Sequence, residues 1–142
     1  MKNWILLFAL LIGSYSFSQE QDFKSFDEDS YQVGDEIILA AQLFQHGAHK
    51  LMPEHYKQIT RIADFLEKNR KVWVEIYCYS NETSEASPIE ELCKKRAKDI
   101  YDRLVLTHNI APKRLTVKGY MQFAGLAGGV GSQKLVLKVI KA

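Results

Sequence analysis

The sequence has little that would carry it across or into a membrane. Its longest apolar run, residues 4–12, is nine residues, against about twenty for a spanning helix. No second run follows, and no room for a β-barrel precedes the part that should fold. Charge of one sign is also scarce: the formal net charge is +2 and no Lys/Arg block occurs. That excludes the basic surface of a nucleic-acid-binding protein. There are two cysteines in all, so one bridge is the most the chain can form. No Ser/His/Asp or Cys/His nucleophile pattern stands out, and no cofactor fingerprint does. Glycines 125, 128, 129 and 131 lack the strand-to-helix setting and the lysine of a phosphate loop. They read as a flexible loop. An enzyme is therefore not expected, nor a bound cofactor.

What is present begins with an export signal. Lys2, the apolar run 4–12, and Ser16 and Ser18 at small-residue cleavage positions make residues 1–18 a signal peptide. No cysteine lies near the cut, so no lipid anchor is expected and the mature chain should be soluble and exported. Residues 19–33 are polar apart from Phe23, Phe26 and Tyr31, and read as a short mobile lead-in with a solvated Asp27-Glu28-Asp29 cluster. One domain, residues 34–142, then accounts for the remainder.

Within it the hydrophobic pattern alternates between strand and helix periods. Gly34-Asp35 signals a turn, and residues 36–44 read as a buried strand. A loop 45–50 leads to a helix opening at Pro53, with Glu54 suited to the positive end of the dipole. Tyr56, Ile59, Ile62, Ala63 and Leu66 recur at three and four and form its core stripe. Residues 72–79 alternate as a strand with apolar or aromatic groups on both faces. A second helix covers about 88–108, a connection 109–114 contains Pro112, and strands follow at 115–119 and 134–140. This order, βαβαββ, predicts an α+β two-layer sandwich: a mixed sheet of about four strands with two helices on one face. The crossovers should be parallel, and the last two strands can pair antiparallel.

The candidate chemistry gathers between residues 72 and 104. Leu92, Arg96, Ile100 and Leu104 lie four apart along one side of the second helix, so a permanent cation stands in line with core residues. A guanidinium there needs an anion or several acceptors, because burying it unpaired is expensive. His46, His49 and His55 are close in sequence, but no carboxylate or cysteine completes a zinc spacing, and they read as solvated loop histidines. Trp73 and the strand tyrosines read as core or sheet surface. Asn81-Glu82-Thr83 matches a glycosylation acceptor, which a bacterial-type export signal discounts.

Cys78-Tyr79-Ser80-Asn81 followed by Ile89-Glu90-Glu91-Leu92-Cys93-Lys94-Lys95-Arg96-Ala97 resembles the signature of the OmpA-like C-terminal domain family. That family, which includes the peptidoglycan-associated lipoprotein, carries Gly-aromatic-Thr-Asp, a loop, then Asn-x-x-Leu-Ser-x-x-Arg-Ala. The resemblance extends over about residues 33–140 and implies the same two-layer fold. It also implies a non-catalytic module that binds peptidoglycan, either free in the periplasm or associated there with the outer membrane. Ser80, Asn81 and Arg96 would then bind the stem-peptide diamino acid, the arginine taking its carboxylate. The chain departs from the pattern where Asn81 replaces the aspartate that meets the ligand's ammonium; Glu82 or Glu85 is a candidate substitute. Ser132-Gln133-Lys134 replaces the family's Asn-Arg-Arg. Weak peptidoglycan binding is one expectation. Its alternative is a protein-interaction or structural domain that has lost the ligand, with another envelope protein as partner. In that case Arg96 pairs locally, for example with Glu91 or Asp99, and holds the loop. Cys78 and Cys93 stand where the family has Gly and Ser; in an oxidising compartment they form a possible disulfide, or remain two buried thiols.

Overall fold

Two periodicities decide the layers. In residues 73–80 every second side chain is buried, and along the two helices the buried positions recur at three and four, so a sheet and a helix pair each present one apolar face to the other. The structure, a computed structural model, describes residues 23–39, 42–81, 88–120 and 133–142. The expected signal peptide, Glu82, Glu85 and the 125–131 glycine loop lie outside the described residues.

The order is β1 (Glu36–Leu39), a 3-10 turn (Pro53–His55), α1 (Tyr56–Lys68), β2 (Trp73–Ser80), α2 (Ile89–Leu106), a second 3-10 turn (Pro112–Arg114), β3 (Leu115–Tyr120) and β4 (Gln133–Lys141). This is the expected α+β architecture, a four-stranded mixed sheet with two helices. The strand order is β1-β4-β2-β3, which corrects one expectation. The last two strands are not neighbours: β4 inserts between β1 and β2, antiparallel to both, while β2 and β3 pair in parallel. Burial explains the placement. Leu135, Leu137 and Val139 are buried, and so is Val136 between them, so β4 needs cover on both faces and takes a central place. β3, with Thr116 half-buried and Lys118 exposed, tolerates the edge.

Val74, Ile76, Leu135, Leu137 and Val139 meet Ile59, Ile62 and Leu66 of α1 and Ala97, Ile100 and Leu104 of α2 in one core. On the other face of β2, Trp73 lies under the Lys141 ammonium at 4.3 Å and the Tyr77 hydroxyl donates to Glu75 at 2.6 Å. Burial and the Glu75 bond push the Tyr77 phenol up to about 12. The α1 stripe holds except at Tyr56, which is 44% exposed and packs under the Arg103 guanidinium at 4.5 Å. Phe65 is buried in addition, because residues expected to form a mobile lead-in fold over it. Phe26 and Tyr31 make edge-on ring contacts to Phe65 at 5.5 and 4.9 Å, and the Lys24 amide donates to the Glu36 carbonyl at 2.8 Å. Arg114, also buried, ties the end of α1 to the start of β2. Its guanidinium donates to the carbonyls of Leu66, Asn69 and Val72 at 2.7 to 3.1 Å, and burial lowers its pKa.

Gly119 sets how closely α2 approaches the sheet. It sits at φ +85° beside an irregularity in the β2–β3 register, and a Cβ there would lie 3.1 Å from the Lys94 Cα. Both facts oppose any larger residue. Gly119→Ala is expected to cost about 2 kcal/mol of stability, from left-handed backbone strain and displacement of the helix. Urea denaturation would measure it, and an unchanged midpoint would contradict this account of the α2–β3 contact.

Candidate functional site

The site lies where the C-terminal end of β2, the N-terminal turns of α2 and the 44–51 loop converge. β2 rises to Ser80, which is 2% exposed on the helix-facing side, and Asn81 follows half-buried. α2 begins at Ile89 on that same end of the sandwich, with Glu90 and Glu91 in its first turn to meet the positive end of its dipole. One turn in, Leu92 and Cys93 are buried; one turn further, Arg96 is fully buried.

Arg96 is held by the chain's own backbone. Its Nε donates to the Ala48 carbonyl at 2.8 Å and Nη2 to the Gln45 carbonyl at 3.2 Å, while the guanidinium lies 5.1 Å from the centre of the Phe44 ring. Neither carboxylate expected to pair with it locally is simply its counter-ion. Glu91 pairs with Lys95 at 3.3 Å. Asp99 takes the Leu51 amide at 2.9 Å, Arg103 Nε at 3.0 Å and Lys50 Nζ at 3.4 Å. Burial alone would lower the Arg103 pKa, but the bond and charge of Asp99 raise it above its ordinary value.

The loop that supplies the carbonyls is pinned at both feet. Phe44 and Leu51 form an isolated antiparallel bridge, and the Met52 amide donates to the Leu43 carbonyl at 3.0 Å. At the first foot the Gln133 side chain makes a closed pair with Phe44, accepting from its amide at 3.1 Å and donating to its carbonyl at 2.8 Å. At the second foot stands Asp99. Gln133 is also the register partner of Ser80 across β2–β4. Ser80 and Arg96 are thus brought to one end of the molecule through two links, Gln133 to Phe44 and Phe44 to Arg96. Sequence reasoning named Gln133 only as a departure from the family pattern and Asp99 only as a local partner for Arg96, not as the two residues that pin this loop. Nothing local marks them, since each acts on backbone 48 to 89 positions away.

A model of the OmpA family matches residues 43–126. The chain belongs to the OmpA family. Its fold is similar to that of an outer membrane protein from Borrelia burgdorferi, at 18% identity and TM-score 0.60 over 80% of this chain and 95% of that one. The peptidoglycan-associated lipoprotein of Burkholderia pseudomallei is similar at 12% identity and TM-score 0.54, over 72% and 88% of the two chains. The cell wall anchor of the type VI secretion system from Pseudomonas aeruginosa is similar at 19% identity and TM-score 0.57, over 75% and 81%. No curated protein matches the chain. Among the described residues no helix is long and apolar enough to cross a membrane, and no cluster of three His, Cys, Asp or Glu side chains could hold a metal ion. His46 and His49 are exposed in the loop, and His55 is half-buried in the 3-10 turn.

Cys78 and Cys93 flank the site and are buried thiols, at 1% and 0% exposure. The possible disulfide is not formed in the structure. Strand parity puts Cys78 on the helix-facing side with Ser80, and helix spacing puts Cys93 on the side of Arg96. A bridge between them would belong to an oxidised form of the chain and would close a loop of about fifteen residues, for roughly 3 kcal/mol of stabilisation in the loop-entropy model. For the thiol form in the structure, two titratable thiols per chain are expected after unfolding without reductant. None would establish the bridge.

Proposed function

We propose that the chain is a non-catalytic module of the bacterial cell envelope that holds peptidoglycan non-covalently, in the periplasm and against the outer membrane. The carrying observation is the fully buried Arg96, oriented by two loop carbonyls at the end of the molecule where Ser80 and Asn81 stand. Its role is to receive the carboxylate of the stem-peptide diamino acid. A guanidinium is always charged, presents a planar fork of five donors, and matches a carboxylate in two parallel bonds. Two of the five point into the loop, so the fork is oriented before the ligand arrives and less freedom is lost on binding. Ser80 and Asn81 line the same end with polar groups for the ligand's ammonium. The descriptions of the Pseudomonas neighbour as a cell wall anchor and of the Burkholderia neighbour as peptidoglycan-associated support the same reading.

Asn81 sets the strength. An amide oxygen accepts a hydrogen bond from an ammonium but offers no charge to offset its desolvation, so binding is weaker than with an aspartate there. The same residue, together with the use of Arg96 to organise its own loop, favours a second reading. In that reading the domain has lost the wall ligand and docks another envelope protein. A pull-down on purified sacculi, with free diaminopimelate as competitor, separates the two: capture that the competitor releases supports the first.

Arg96→Ala is expected to abolish sacculus capture, a loss on the order of 2–5 kcal/mol as for truncating one partner of a buried charge pair. Retained cooperative unfolding shows that the fold survived the change. Undiminished capture would overturn the assignment of Arg96. Asn81→Asp is expected to strengthen binding of diaminopimelate-containing wall fragments by roughly 1–3 kcal/mol through a charge-assisted bond, read by titration calorimetry. No gain would place the ammonium elsewhere, and Glu82→Gln with Glu85→Gln then tests the two neighbouring carboxylates.

A further inference from the structure

The Arg96 guanidinium takes its direction from two carbonyls, and those carbonyls belong to a loop with two feet. Gln133 holds the first foot through a pair of neutral amide bonds to Phe44. The second foot depends on a charge. Asp99 is 6% exposed, and its Oδ2 accepts both the Leu51 amide at 2.9 Å and Arg103 Nε at 3.0 Å, while Oδ1 receives Lys50 Nζ at 3.4 Å. Lys50 is 72% exposed and adds little. The working contacts are the Leu51 amide on one side and Arg103, one turn along the same helix, on the other. Asp99 in turn lies one turn after Arg96, so one helix supplies both the group to be oriented and the group that fixes the orienting loop.

We infer that Asp99 is the positioning residue of this site: by gripping Leu51 it holds the Gln45 and Ala48 carbonyls where they aim Arg96 at its ligand. The inference rests on the reading of Arg96 as the anchor for the wall carboxylate. It adds that the affinity of the site is set by a carboxylate that never touches the ligand. Arg103 clamps the Asp99 carboxylate from the helix side, so the charge needs no movement to serve Leu51. A neutral amide at position 99 keeps the shape but gives a weaker acceptor to Leu51 and loosens Arg103, because bonds to a charged group are the stronger ones.

The test uses the full exported chain and two readouts. In Asp99→Asn, the Arg96 Nε–H and Leu51 amide protons are followed by hydrogen exchange in NMR spectra, and capture on sacculi is measured in parallel. Both protons are expected to exchange faster, and capture to weaken on the order of tenfold. Asp102→Asn, which removes an exposed partner of Lys98 on the same helix, should leave both readouts at wild-type values and so controls for helix charge. If the Arg96 proton keeps its protection in Asp99→Asn, or if Asp102→Asn produces the same losses, the inference is overturned. Should Asp99→Asn fail to fold, Arg103→Gln takes its place: lost Arg96 protection supports the inference and retained protection overturns it. Failure of the wall-binding reading looks different. Wild-type chain would then bind no sacculi, while the exchange readout would still report whether Asp99 orients Arg96.

Discussion

A cation buried without exposure at the second turn of α2 governs this end of the molecule. Arg96 stands in line with Leu92, Ile100 and Leu104, all buried, and a guanidinium in such a row costs several kcal/mol unless its donors are met. The chain meets two of them with backbone carbonyls from a segment nearly fifty residues earlier. That requirement explains the 44–51 loop. A loop free to move would not hold two carbonyls at hydrogen-bond distance, so it is bridged at its base and pinned by Gln133 at one foot and Asp99 at the other. Phe44, held by Gln133, lays its ring against the guanidinium and adds an attraction that is stronger away from water.

Carbonyl oxygens differ from a carboxylate in a way that bears on function. They satisfy N–H groups without themselves neutralising a cation, as an ion pair with Glu91 or Asp99 would have done. Both of those acids engage other cations. A fixed, positively charged fork suits the carboxylate of a peptide better than a flexible lysine would. Buried Arg114 shows the contrasting use. It also spends its donors on carbonyls, those of Leu66, Asn69 and Val72, but between α1 and β2, where it closes a helix end against the sheet.

Much of the fold was legible because it depends on short-range pattern. The alternation of Val74, Ile76 and Cys78 places β2 within a residue. The spacing of Ile59, Ile62 and Leu66 places α1, although the helix proper starts at Tyr56 after a 3-10 turn at Pro53. β1 ends at Leu39 rather than Phe44. The motif around Arg96 was legible too, since spacing within one helix fixes which residues share a face. Less legible was anything decided by a partner far along the chain. Tyr56 has the right spacing for the core but is exposed, because Arg103 of the other helix offers its ring a cation. Phe26 and Tyr31 look like sparse apolar residues in a polar lead-in, yet α1 presents Phe65 to them and they fold down on it.

By itself, then, the sequence determined the elements, the α+β class, the two-layer arrangement and the identity of the central cation, all of which follow from period and spacing along one strand or helix. Only the tertiary structure decided that β4 lies between β1 and β2, that Gln133 and Asp99 pin the loop, and that Arg96 is oriented by Gln45 and Ala48. The reason is the same in each case. Strand order and buried polar pairing are settled by which distant groups can cover an apolar face or satisfy a donor, and a linear pattern does not record that choice.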